Sequence, residues 1–229
     1  MNRTKFWRAL ERLSSGAVML QWQRELGPEL DRARVFLQLA KEPAETYPCT
    51  NPAGCGCPHR IEEDGHGGGV AVFDTDEWCP PIPVKSEDRQ VFRADARRLC
   101  DGIARALALA TPTARKSTRA RAERVGIYEA ANAEVFLMIP ADTAWMAREA
   151  ERLFGAQPEP FMLLTPTGVH CSAEVESMLR RQGSVHIPLA RFVSLGDNGK
   201  LTASPAIKPV GSVHEVPRPS DGRGCPQVR

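Results

Sequence analysis

Three of the seven cysteines fall in one stretch, Cys49-Thr-Asn-Pro-Ala-Gly-Cys55-Gly-Cys57-Pro-His59, and a fourth, Cys79, answers them further on. Each lies beside Pro or Gly or within a turn, the setting in which thiolates from separate turns converge on one tetrahedral ion. The pattern predicts a structural Zn²⁺ site with Cys49, Cys55, Cys57 and Cys79 as ligands. Its C-x5-C-x-C spacing differs from the paired C-x2-C of a zinc ribbon. His59 is therefore the substitute ligand, giving a Cys3His set if the Cys55-Gly56-Cys57 turn does not aim both sulfurs inward. Gly56 makes that turn sterically cheap because it lacks Cβ.

Disulfides are the competing reading. The lack of a secretory apolar segment argues for a reducing, cytoplasmic setting and hence against them. Iron–sulfur ligation is disfavoured because its repeated C-x2-C spacings are missing. A closed set of four ligands leaves no position for water, so the expected role of the ion is to fold the loop. Between the two halves, Asp64-Gly-His-Gly-Gly-Gly69 reads as an exposed tip carrying His66, and Val70-Ala-Val-Phe73 as a short returning strand.

With 229 residues the chain can bury a full core, and 42% apolar with 25% charged residues is ordinary for a folded protein. No apolar run reaches the roughly 18–20 residues needed to cross a bilayer, so a soluble protein without a membrane partner is expected. The net charge of +2 does not announce a nucleic-acid partner. The distribution of charge says more.

Residues 1–45 read as a helical segment. Phe6, Trp7, Leu10 and Leu13 form a stripe that ends at Ser14-Ser-Gly16, a second segment runs from Ala17 to Leu26, and Leu30, Ala33, Leu37 and Ala40 repeat at helical spacing. Residues 46–84 form the zinc knuckle. Over 85–124 the spacing predicts one long helix, capped by Ser86 and running to about Leu109 on Val91, Asp95, Leu99, Ile103 and Leu107, followed by a basic linker.

Residues 125–203 carry strand, helix, strand, helix, strand. The strands are expected near Val125–Tyr128, Glu134–Ile139, Phe161–Leu164 and Val185–Leu189. The helices run over Ala141–Phe154 and from a cap at Ser172, and a hairpin follows around Gly196–Gly199. From 204 to 229 the Pro- and Gly-containing tail, with Cys225, has no sustained period and is expected to be flexible. The fold class is α/β: a small mixed or parallel sheet with flanking helices, preceded by a helical segment and a zinc knuckle.

The strongest basic cluster is Arg115, Lys116, Arg119, Arg121 and Arg124. It suits salt-sensitive contacts to phosphates, though it lacks the interleaved aromatics of a stacking platform. The leading expectation is a non-enzymatic, zinc-stabilised regulatory or scaffold protein that binds DNA or RNA through these residues. One alternative is an enzyme acting on a phosphate-containing substrate through the loops after Ile139 and Leu164, where Asp142, His170, Cys171 and Glu174 lie. There His186 is the more distant histidine able to approach Cys171. Neither G-x-x-x-x-G-K-S/T nor G-x-G-x-x-G occurs to support nucleotide binding. A third reading is a structural component that meets a protein partner.

Overall fold

The computed structural model describes residues 4–51, 57–73, 79–110 and 120–204. The chain begins with α1 (Lys5–Arg12), whose Phe6, Trp7 and Leu10 are buried on one face at helical spacing. Gly16, at φ +101°, turns the chain into β1 (Ala17–Val18), where a Cβ would collide with the Arg93 side chain. Then come α2 (Met19–Leu26) and the one-turn α3 (Leu30–Ala33). Buried indoles tie the helices down: Trp7 Nε1 donates to the Val193 carbonyl at 2.8 Å and Trp22 Nε1 to that of Phe92 at 3.0 Å.

Two helical expectations are corrected here. The third N-terminal helix ends in a 3-10 turn at Phe36, and Leu37–Leu39 is strand β2. The expected helix from Ser86 is a 3-10 turn over Glu87–Arg89 followed by strand β7 (Val91–Ala94), and only Ala96–Ala106 is helix, α4. Strand β7 lies between β1 and β2 in a three-stranded antiparallel sheet. The physical reason is degeneracy: an interval of four residues keeps a side chain on one face of a strand as well as of a helix. Asp95, the polar interruption in the expected stripe, is the cap that starts α4, accepting the Arg98 amide at 3.0 Å.

The cysteine-bearing region is a four-stranded antiparallel sheet, β3 (Thr46–Pro48), β4 (Pro58–Glu63), β5 (Gly69–Val72) and β6 (Ile82–Val84), in that order. The molecule is thus a mixed α/β structure richer in sheet than a single α/β layer. The glycine-rich tip does expose His66, and a buried arginine holds its base. Arg89, 4% exposed, donates to the carbonyls of Ala44 and Gly67 and, at 2.7 Å, to Glu63.

The C-terminal part follows its expected order: β8 (Glu123–Tyr128), β9 (Ala133–Leu137), α5 (Thr143–Ala156), β10 (Phe161–Thr165), α6 (Ala173–Arg181) and β11 (Val185–Pro188). Strands β9, β10 and β11 are parallel and β8 is an antiparallel edge, in the order β11-β10-β9-β8. Alternation sorts the side chains. Phe136, Met138, Phe161 and Leu163 pack beneath α5 and α6, while Val135, Leu137 and Leu164 join the helices α1 and α4 on the other face.

A hairpin of β12 (Val193–Leu195) and β13 (Leu201–Ala203) closes against α4 through Leu201 and Gly102. A buried polar strut joins α1 to the loop after β10. Both Glu11 carboxylate oxygens accept from Thr167, from its amide at 2.9 Å and its hydroxyl at 2.6 Å.

Candidate metal centre

Antiparallel pairing of β3 with β4 sets Pro48 opposite Pro58 and Tyr47 opposite His59, so Cys49 and Cys57 leave the same end of one ladder. The Cys49 amide bonds the Cys57 carbonyl there at 3.2 Å. Cys79, just before β6, comes in beside them. The sulfurs of Cys49 and Cys79 are 3.9 Å apart and those of Cys57 and Cys79 3.6 Å. Both separations are far beyond the ~2.05 Å of a disulfide bond. They bracket the ~3.8 Å expected between two thiolates on a tetrahedral ion with bonds of about 2.3 Å.

His59 completes the group. One ligand atom from each of Cys49, Cys57, His59 and Cys79 lies within 4.8 Å of all the others. The imidazole is fully buried, stacked at a tilt against Phe73, and neither ring nitrogen has a hydrogen-bond partner among the described residues. A buried ring nitrogen left unpaired costs about 1–3 kcal/mol, and coordination removes that cost. Of the four sequence-selected cysteines, Cys49, Cys57 and Cys79 are brought together, and Cys55 lies outside the described residues. The donor set fits a thiophilic cation.

The surroundings orient the ligands as well. The Asn51 amide points at the Cys49 sulfur at 3.4 Å, and Arg24 of α2 donates to the Cys49 carbonyl at 2.7 Å. No periodicity signals the Arg24 contact, because it joins residues distant in the chain.

Of the basic cluster, Arg115, Lys116 and Arg119 lie outside the described residues. Arg121 is exposed, and its backbone is pinned to α5 by the buried Glu149, which accepts the Arg121 amide at 3.0 Å. Arg124 differs from expectation. It stands in β8 with its side chain only 12% exposed, and it ion-pairs with Glu134 of the neighbouring strand.

In the loops after β9 and β10, polar side chains hold structure. Asp142 caps α5 by accepting the Trp145 amide at 2.7 Å, and Ser172 caps α6. Hydrogen bonding to Ser172 lowers the Glu174 carboxyl below its usual range. Cys171 approaches Glu176 and His186. Burial, aided by the Glu176 charge, pushes its thiol up to about 11, so it is not an activated nucleophile near neutrality. Burial likewise lowers His186. Sequence reasoning named Cys171 and His186 but missed Glu176, whose position relative to the Ser172 cap was the available signal.

Comparison with known proteins finds no matching family model, no matching curated relative and no matching solved structure. No helix among the described residues is long and apolar enough to cross a membrane.

Proposed function

We propose that the chain is a non-enzymatic binding protein whose knuckle holds one structural Zn²⁺ through Cys49, Cys57, His59 and Cys79. The observation that carries this reading is the buried His59 imidazole, without a hydrogen-bond partner among the described residues, with one ring nitrogen within 4.8 Å of three converging sulfurs. When bound, the ion supplies cross-linking: it fixes the ends of β3, β4 and β6 that few apolar contacts hold. With four protein ligands it keeps no position for water.

The partner in this proposal is nucleic acid, engaged at phosphates by Arg115, Lys116, Arg119 and Arg121. Two features support it: no acid interrupts the sequence from Arg115 to Arg121, and the Arg121 backbone is anchored while its side chain is exposed. Arg124 is withdrawn from this set because Glu134 occupies it.

The test combines metal analysis with binding of a short duplex and a single strand across a salt series. Zinc that is lost in Cys79→Ser is the expected metal result. Each cation reversed, as in Arg121→Glu, should flatten the slope of log affinity against log salt by about one. Zinc content indifferent to Cys79 would sink the metal reading. Absence of binding even at low salt would remove nucleic acid and leave a protein partner for the same scaffold.

A further inference from the structure

The geometry points to a second cation site, separate from the knuckle: Cys171, Glu176 and His186 take one thiophilic divalent d-block ion of the zinc class, with a fourth position left to water. One ligand atom from each of the three residues lies within 4.8 Å of the other two. All three are reachable from solvent, Cys171 and His186 being half-buried and Glu176 exposed.

Local structure explains why they meet. Ser172 is the N-cap of α6, so Cys171 is the residue before the cap and Glu176 the fourth residue of the helix. At a helix start these two positions touch and usually carry an apolar pair that fixes the entry of the chain. Here the pair is a thiol and a carboxylate. A neutral thiol offers the carboxylate no more than a weak S–H donor, whereas a cation between them is attracted by both the carboxylate and the thiolate it displaces the proton from.

The third donor comes from the sheet. Parallel pairing sets His186 beside Leu163, and Leu163 and Thr165 share the face covered by α6, so the imidazole points beneath the start of that helix. It is held there by Thr165, whose Oγ1 lies 2.8 Å from His186 Nε2. The Thr165 hydroxyl spends its single proton on the Thr167 carbonyl. It can therefore only accept from the ring, which fixes the proton on Nε2 and leaves the lone pair on Nδ1. A ligating histidine with its other nitrogen donating to an outer partner is the usual arrangement in metal sites. Thr165 is then a positioning residue. Three mixed N, O and S donors with one place open describe an exchangeable ion, unlike the closed knuckle.

The full chain, purified with its knuckle metal in place, is titrated with Co²⁺ while the sulfur-to-cobalt charge-transfer band, bound cobalt and released zinc are followed together. Expected is one saturable cobalt per chain without zinc release. The band should vanish in Cys171→Ser, and affinity should fall at least about tenfold in Glu176→Gln and in the outer-sphere variant Thr165→Val. Zinc content and circular dichroism should stay unchanged in each variant. A band that grows only as zinc leaves belongs to the knuckle and overturns the proposal, as does cobalt binding indifferent to Cys171→Ser and Glu176→Gln.

Discussion

Two sheets of equal strand number sit in this molecule under very different conditions. The sheet β11-β10-β9-β8 is covered on both faces, by α5 and α6 on one side and by α1 and α4 on the other, with Phe136, Phe161, Leu163 and Leu164 almost fully buried. Among the described residues, the apolar cluster of the sheet β3-β4-β5-β6 is Ala44, Tyr47, Ile61, Ala71 and Val84, with Val18 from β1. At about 25 cal/mol per Å² of apolar surface, a core with two alanines among its six members stabilises little. The first sheet is held by side-chain packing. In the second, the Arg89 clamp and, in the proposed zinc-bound form, three thiolates and one imidazole would take over that role, the strategy of a small unit lacking a sufficient core.

Removing the metal ligands should break the contrast most visibly. Cys79→Ser, or chelation, is expected to abolish amide protection across β3 to β6 in hydrogen exchange while β9 and β10 stay protected. Structural zinc contributes on the order of 10 kcal/mol to small metal-folded units. Uniform loss of protection would mean that the two sheets do not unfold separately.

The reciprocal variant, Leu163→Ala, should cost about 3 kcal/mol in denaturant unfolding through the cavity it leaves, with zinc content unaltered. A smaller loss, about 2 kcal/mol, is expected from Glu11→Ala, because it strands the buried Thr167 amide and hydroxyl. Its effect on the α/β sheet should exceed that on the knuckle. Arg12→Ala, which removes an exposed ion pair with Glu25, should stay within about 0.5 kcal/mol and calibrates the series. A larger change there would signal packing by the arginine stem.

The same contrast governs what could be read from the residues. The parallel sheet was legible because its strands are continuous apolar runs and its helices carry caps and a single stripe: Phe161–Thr165, the Ser172 cap and the hairpin at Gly196–Gly199 all stand where expected. The residues that converge in the knuckle, Cys49, Cys57 and Cys79 with His59 as the substitute, were legible from composition and spacing. Of its sheet, the returning strand read at Val70–Phe73 stands as β5, but the others were not legible, since His59-Arg-Ile-Glu and Ile82-Pro-Val are short, half-exposed and lie among prolines. Strand β7 was hidden by an interval of four that serves both periods. Contacts such as Arg24 with Cys49, or Arg124 with Glu134, arise only when distant segments meet, and no local pattern carries them.

The entry and exit of the knuckle run side by side. The Ala40 amide bonds the Val91 carbonyl and the Ala44 amide that of Arg89, each at 2.8 Å, extending the pairing of β2 with β7. Everything between Ala44 and Arg89 thus departs from and returns to one zipped stem. The cost of closing that long loop grows only slowly with its length. The segment is consequently a cassette: it can be shortened to a tight turn, or exchanged for another, with Val18 left as the main apolar surface to re-cover.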